Sequence, residues 1–181
     1  MSSPHEPSAQ GRRRDPLLGI ARLLLGIIMA IFVVGAVVIA GAIPVVYFLQ
    51  DKVLAHFAAH GVPPASIWAV MAVQLLAVLA AVLGFYYFRH IHRIIDTVSE
   101  GDPFVPANAQ RLNAMGWIAV AGQLMAIPFN IVGRWMGTVA SSFQVDFGLS
   151  IGGILLILIL FILARVFREG ARMREELEGT V

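Results

Sequence analysis

Apolar residues along this chain come in four long runs without a single charge, separated by short polar segments. Leu23–Gln50 spans 28 residues, Gly61–Phe88 another 28, Leu112–Gly133 22 and Phe147–Ala164 18. A helix needs about 20 residues to cross the hydrocarbon core of a bilayer, with a range of about 17–25. All four runs reach that range. An open strand would leave backbone amides unpaired in lipid, and a closed barrel requires an alternation of polarity that is absent here. The pattern therefore predicts an all-α integral membrane bundle of four transmembrane helices, with spans at about 20–49, 65–88, 112–133 and 147–165.

Beyond the second and fourth runs the periodicity changes but the helix is expected to continue. Ile91, Ile94, Ile95 and Val98 follow the i, i+3, i+4, i+7 spacing of one helical face. Gly101-Asp102-Pro103 then ends that helix, and Pro106 presets φ for the first turn of the next. After Ala164, residues Val166, Gly170, Met173 and Leu177 form a second stripe. These helical extensions into the cytoplasm have two readings: each stripe lies on the headgroups, or the two pack on each other. Arg172/Glu176 and Arg174/Glu178 are four apart and are expected to pair. Gly41 and Pro44 predict a kink or stop near the end of the first run, because proline lacks an amide hydrogen and clashes with the preceding turn. Residues 1–16 contain almost nothing to bury and are expected to form a disordered cytoplasmic tail; residues 17–181 form the single transmembrane domain.

The first run has some marks of a signal peptide, with Arg12–Arg14 before it and Ala40-Gly41-Ala42 near its end. It is much longer than the roughly 7–15 residues of an export signal's apolar core, so we read it as a span.

The distribution of charge sets the orientation. Of 13 Lys and Arg residues, only Lys52 and Arg134 fall on one side of the four spans. Arg12, Arg13, Arg14, Arg22, Arg89, Arg93, Arg111, Arg165, Arg168, Arg172 and Arg174 fall on the other. The positive side stays in the cytoplasm, which puts both termini there, in a bacterial inner membrane. Tyr86, Tyr87 and Trp117 then lie near the inner interface, and Tyr47, Trp68 and Trp135 near the outer one, where amphipathic rings are favoured.

Composition agrees: 59% of residues are hydrophobic and 13% charged, against about 25% charged in a soluble domain. With no cysteine in the chain, disulfides and thiolate metal sites are excluded.

Candidate chemistry is sparse. No phosphate loop, no nucleophile beside a base and no intramembrane carboxylate pair is present, so no enzymatic activity and no cofactor are expected. His56 and His60 are four apart, but only Asp51 is nearby, and zinc takes three or four ligands. His90 and His92, two apart, share no helical face. We expect no metal site. Gln74, Gln123 and Asn130 lie within the spans and are expected to hydrogen-bond between helices at about 1 kcal/mol each. Arg22, at the inner end of the first span, is expected to snorkel. Arg134 and Asp146 end two successive spans and form a candidate outer ion pair. Gly133/Gly137 and Gly148/Gly152 recur at the spacing of four that lets helices approach closely. The basic residues are those that topology requires, so direct nucleic-acid binding is not expected; the lipid bilayer is the one certain partner.

Two segments carry a resemblance. The middle loop reads Gly101-Asp102-Pro103-Phe104, followed by Asn108, Arg111, Leu112, Gly116 and Trp117. The end reads Leu163 to Gly170, then Glu175-Glu176 and Thr180-Val181. With four spans from about Leu17 onward, this resembles the small bacterial membrane proteins grouped as domain of unknown function 2975. The resemblance implies no established activity. Genes of that group often neighbour one for a small helix-turn-helix regulator, which implies, by association, a membrane scaffold or sensor acting through a small cytoplasmic DNA-binding partner. Its candidate surface is Gly101, Pro103, Phe104, Asn108, Arg111, Gly170, Glu175, Glu176, Thr180 and Val181. The alternative is a subunit of a small transporter or channel, which would have to form homo-oligomers or open to make a path.

Overall fold

The computed structural model describes residues 16–59, 63–64, 66–139 and 150–178. They form five helices: α1 (Pro16–Phe48), α2 (Gln50–Ala59), α3 (Ser66–Ser99), α4 (Pro106–Val139) and α5 (Ile151–Glu178). Among the described residues there is no strand. Four of the helices, α1, α3, α4 and α5, are long and apolar enough to cross a membrane. The fold is all-α, as the pattern of runs requires.

The helices are longer than the apolar runs. α3 carries on through Ile91–Val98 to Ser99, and α5 carries on through the arginine-rich segment to Glu178. Pro106 is the first residue of α4, where its missing amide costs no intrahelical bond. The end of α3 is closed by Gly101 with φ 86°. The amide of Gly101 donates to the carbonyl of Val98 and that of Asp102 to Thr97, the paired bonds of a Schellman cap. Pro44 does not stop α1, which runs through it to Phe48. The break comes at Leu49, after which the short and less apolar α2 begins. A proline is tolerated inside a membrane helix where neighbouring groups take up the freed carbonyl.

Tertiary packing follows chain order. α1 packs on α3, α3 on α4 and α4 on α5; among the described residues α1 reaches neither α4 nor α5, and the backbones of α3 and α5 do not approach each other. The result is a row of antiparallel helices with α4 flanked on both sides. Its main core is small: Leu112 and Met115 of α4 with Leu160 and Ala164 of α5, joined by Tyr87, Ile91, Ile94 and Phe167. This corrects the stripe expected on α5. Val166, Met173 and Leu177 are more than half exposed, while Leu160, Ala164, Phe167 and Ala171 form the inner face. The α3 stripe therefore meets the inner face of α5 at α4, and the stripe expected on α5 does not pack on α3.

Glycines set how closely the helices approach, at positions other than the expected pairs. A Cβ on Gly84 of α3 would lie 2.5 Å from the Phe32 ring of α1, and one on Gly116 of α4 would lie 2.9 Å from Phe161 of α5. A Cβ on Gly153 would run directly into the Gln123 side chain, and one on Gly170 would lie 2.8 Å from Phe104. Each of these glycines receives a side chain from the adjacent element. Lipid tails are as apolar as leucine, so association here rests on this interlocking rather than on escape from water. Gly148 lies outside the described residues.

Replacing Gly84 with Ala should overpack the α1–α3 contact and destabilise the protein by about 1–3 kcal/mol. Phe32→Leu in the same chain should recover most of that loss. Unfolding titrations in mixed micelles would measure both, and equal loss with either residue at position 32 would refute the contact.

Candidate functional site

α1 begins, α3 ends, α4 begins and α5 ends at one end of the row, and most of the described polar contacts gather there. At its centre is Asn108, in the first turn of α4, fully buried at 0% exposure. Its Nδ2 donates to Thr97 Oγ1 at 2.7 Å and to the Pro103 carbonyl at 2.9 Å. Its Oδ1 accepts from the Arg111 guanidinium at 2.8 Å. The same Arg111 nitrogen donates to the Arg93 carbonyl at 3.0 Å, and the Thr97 hydroxyl donates to the Ile94 carbonyl. One side chain thus ties the last turns of α3, the Gly101–Val105 connection and the first turn of α4. Burying an amide costs little when its donors and acceptor are all satisfied, and a great deal when they are not.

The connection is also fixed to α5. The Phe104 ring packs on Phe167 at 5.2 Å between centroids and covers Gly170. Arg174 pairs with Asp102. Further along α5, Arg172 bonds Glu169 at 2.6 Å and faces Glu176 at 3.7 Å, as the four-residue spacing predicts. Glu178, the expected partner of Arg174, has a side chain outside the described residues.

On the other side of α3, Arg22 of α1 does not simply extend toward headgroups. Its guanidinium meets Asp96 at 2.9 Å and donates to Ser99 Oγ, while His92 Nδ1 lies 3.2 Å from the other Asp96 oxygen. These side chains are only partly exposed, so the Arg22–Asp96 pair is an anchor between α1 and α3.

Gly101, Pro103, Phe104, Asn108, Arg111 and Gly170 are therefore brought together, although two distant segments supply them. Glu175 and Glu176 lie beside them and are exposed. Glu175 borders a hollow of about 260 Å³ with Pro106, Ala109, Gln110, Arg168, Ala171 and Arg172. The surface is of mixed charge, with Arg168 and Arg172 beside Glu175. Thr180 and Val181 lie outside the described residues. So does Asp146, while Arg134 is exposed on α4; the outer ion pair is thus left aside. Sequence reasoning missed Thr97, Asp96, Ser99 and the partnership of Asp102 with Arg174. Only their position next to the Gly101 cap could have signalled them.

Elsewhere, Gln123 Nε2 donates to the Ser150 carbonyl at 3.1 Å, a bond between α4 and the start of α5. Gln74 Oε1 is buried and has no hydrogen-bond partner among the described residues. Among those residues no group of three or more His, Asp or Glu side chains could hold a metal ion.

Residues 51–181 match the family described as protein of unknown function, DUF2975. The chain belongs to that family. The match begins at α2, not at about Leu17, so α1 stands outside it, and both motif segments lie inside. No curated protein and no solved structure matches this DUF2975 member.

Asn108→Ala should remove three hydrogen bonds and leave Arg111 without its side-chain acceptor, at a cost of about 1–3 kcal/mol. Asn108→Leu, of similar volume, should cost at least as much. If thermal unfolding in detergent shows Asn108→Leu to be as stable as wild type, packing rather than hydrogen bonding holds the turn.

Proposed function

We propose that this DUF2975 protein is a multi-pass protein of the bacterial inner membrane, a scaffold or sensor that acts through a cytoplasmic partner. The supporting observation is the convergence at the arginine-rich end. Residues from 101–111 and from 170–176 form one rigid surface there, held by Asn108 from within and by the Arg174–Asp102 pair across α5. A surface built on locked elements presents its exposed groups, here Phe104, Glu175 and Glu176, at fixed spacing. Fixed spacing suits recognition of another protein.

The lysine and arginine imbalance supports a cytoplasmic position for this end. The resemblance to neighbours of small helix-turn-helix regulators makes such a regulator the partner to test. A transporter or channel subunit is the alternative. Among the described residues the single row of four spans encloses no pore, so that reading needs several copies or an opened form.

Two outcomes are expected. A reporter enzyme active only outside the cytoplasm should work when fused after His60 or Ser142 and stay silent after Gly101 or the C-terminus; activity at Gly101 would invert the topology. Removing residues 175–181 leaves Asp102, Asn108, Phe104 and Arg174 in place, so insertion and thermal stability should be retained. Capture of the purified regulator by the detergent-extracted protein should be lost. Undiminished capture would refute docking at this surface.

A further inference from the structure

Away from the arginine-rich end, α4 and the flanking α3 and α5, whose backbones do not approach each other, leave a groove of about 420 Å³. Its floor is the small-residue face of α4, Ala119, Gly122 and Ala126, and its walls are Leu83, Phe129 and Leu156. We propose that this groove binds one acyl chain of a membrane lipid.

Depth is the first argument. The floor residues lie in the apolar run that spans the hydrocarbon region, where lipid tails are the solvent. On α4 the lining runs from Ile118 to Phe129, about 16 Å at 1.5 Å per residue, comparable to half the thickness of the hydrocarbon core.

The chemistry of the lining is the second. Apart from Gln123, whose Nε2 donates to the Ser150 carbonyl, and Tyr87 at one end, the lining side chains are apolar. Most of the groove therefore suits an acyl chain better than water, which needs two to four polar partners. An unfilled groove would forfeit dispersion contacts along its whole lining.

Shape is the third. At the arginine-rich end Tyr87, which lines the groove, packs on the Leu112–Ala164 core. A groove of this volume takes a thin flexible chain along its length, whereas a helix is a cylinder about 10–12 Å across. Finally, Gly122 faces open space, with nothing within 4 Å of where a Cβ would stand. Gly19, Gly26, Gly35 and Gly41 of α1 are open in the same way, but of these glycines Gly122 is the one that lines the groove, so a side chain placed there would enter the groove without meeting the protein.

The test uses the full chain in phosphatidylethanolamine and phosphatidylglycerol vesicles doped with phosphatidylcholine bearing a diazirine on its acyl chain. After photolysis, labelled residues are mapped by mass spectrometry. The lipid-facing Val33–Val38 side of α1 serves as the reference for bulk lipid. Labelling at the groove should exceed that reference several-fold per residue. Gly122→Phe should abolish the excess and leave α1 labelling unchanged, and Gly122→Ala, which adds one methyl group into open space, should reduce it in part. Thermal unfolding checks that both variants are folded; should the phenylalanine chain not fold, the wild-type ratio and the alanine variant decide. Groove labelling equal to that of α1, or insensitive to filling Gly122, would overturn the proposal. So would disulfide-linked dimers of Gly122→Cys in native membranes, readily detected because the chain has no other cysteine; they would assign the groove to a second copy.

Discussion

The buried amide of Asn108 holds together what the apolar helices alone would leave free. A reversal between two membrane helices must end one ladder of backbone hydrogen bonds and start another where little water reaches. Here the Gly101 cap and the Pro106 start meet half of that requirement. Asn108 meets the rest by donating to Thr97 and Pro103 and accepting from Arg111. Because the turn is then rigid, Phe104 and Asp102 stand at fixed positions against α5. The seat of Phe104 on Gly170 and the pairing with Arg174 follow from that.

The four apolar runs were legible because lipid makes span length a nearly one-dimensional signal. The helical extensions were legible too, from the spacing of Ile91, Ile94 and Val98 and from the Gly-Asp-Pro stop. The inner face of α5 was not. Its outward residues Val166, Met173 and Leu177 are as apolar as its inward ones, since at a membrane surface both sides of a helix tolerate apolar groups. The inward choice was made by small residues, Ala164, Gly170 and Ala171, which admit neighbours. Of the kink or stop expected at Pro44, the stop does not occur there, since a breaker in water is tolerated inside a membrane helix. Asn108 and Arg111 were picked out from the sequence as residues three apart on one helix. Their partners across the turn depend on the three-dimensional course of the connection, which spacing does not encode.

The contacts of α1 differ in kind from those of the other spans. Leu25 is its one buried residue among those described, and the helix is held to α3 by Phe32 resting on Gly84, a ring contact of 5.6 Å between Phe32 and Phe88, and the Arg22–Asp96 pair. Isolated ion pairs near water contribute modestly. The ring-on-glycine contact supplies shape, and the ion pair supplies register at the arginine-rich end.

The sequential order of the row bears on how the protein is made. Each membrane helix, once released into the bilayer, finds its packing partner in the helix released just before it; α3 meets α1, α4 meets α3, α5 meets α4. No helix waits for a distant segment to be synthesised. Loop-closure entropy is spent only on short connections, and assembly proceeds by successive addition at one edge, the order in which the ribosome delivers the chain. α5 carries Arg174 and Gly170, so its docking onto Asp102 and Phe104 locks the α3–α4 turn only after both of those helices are in place.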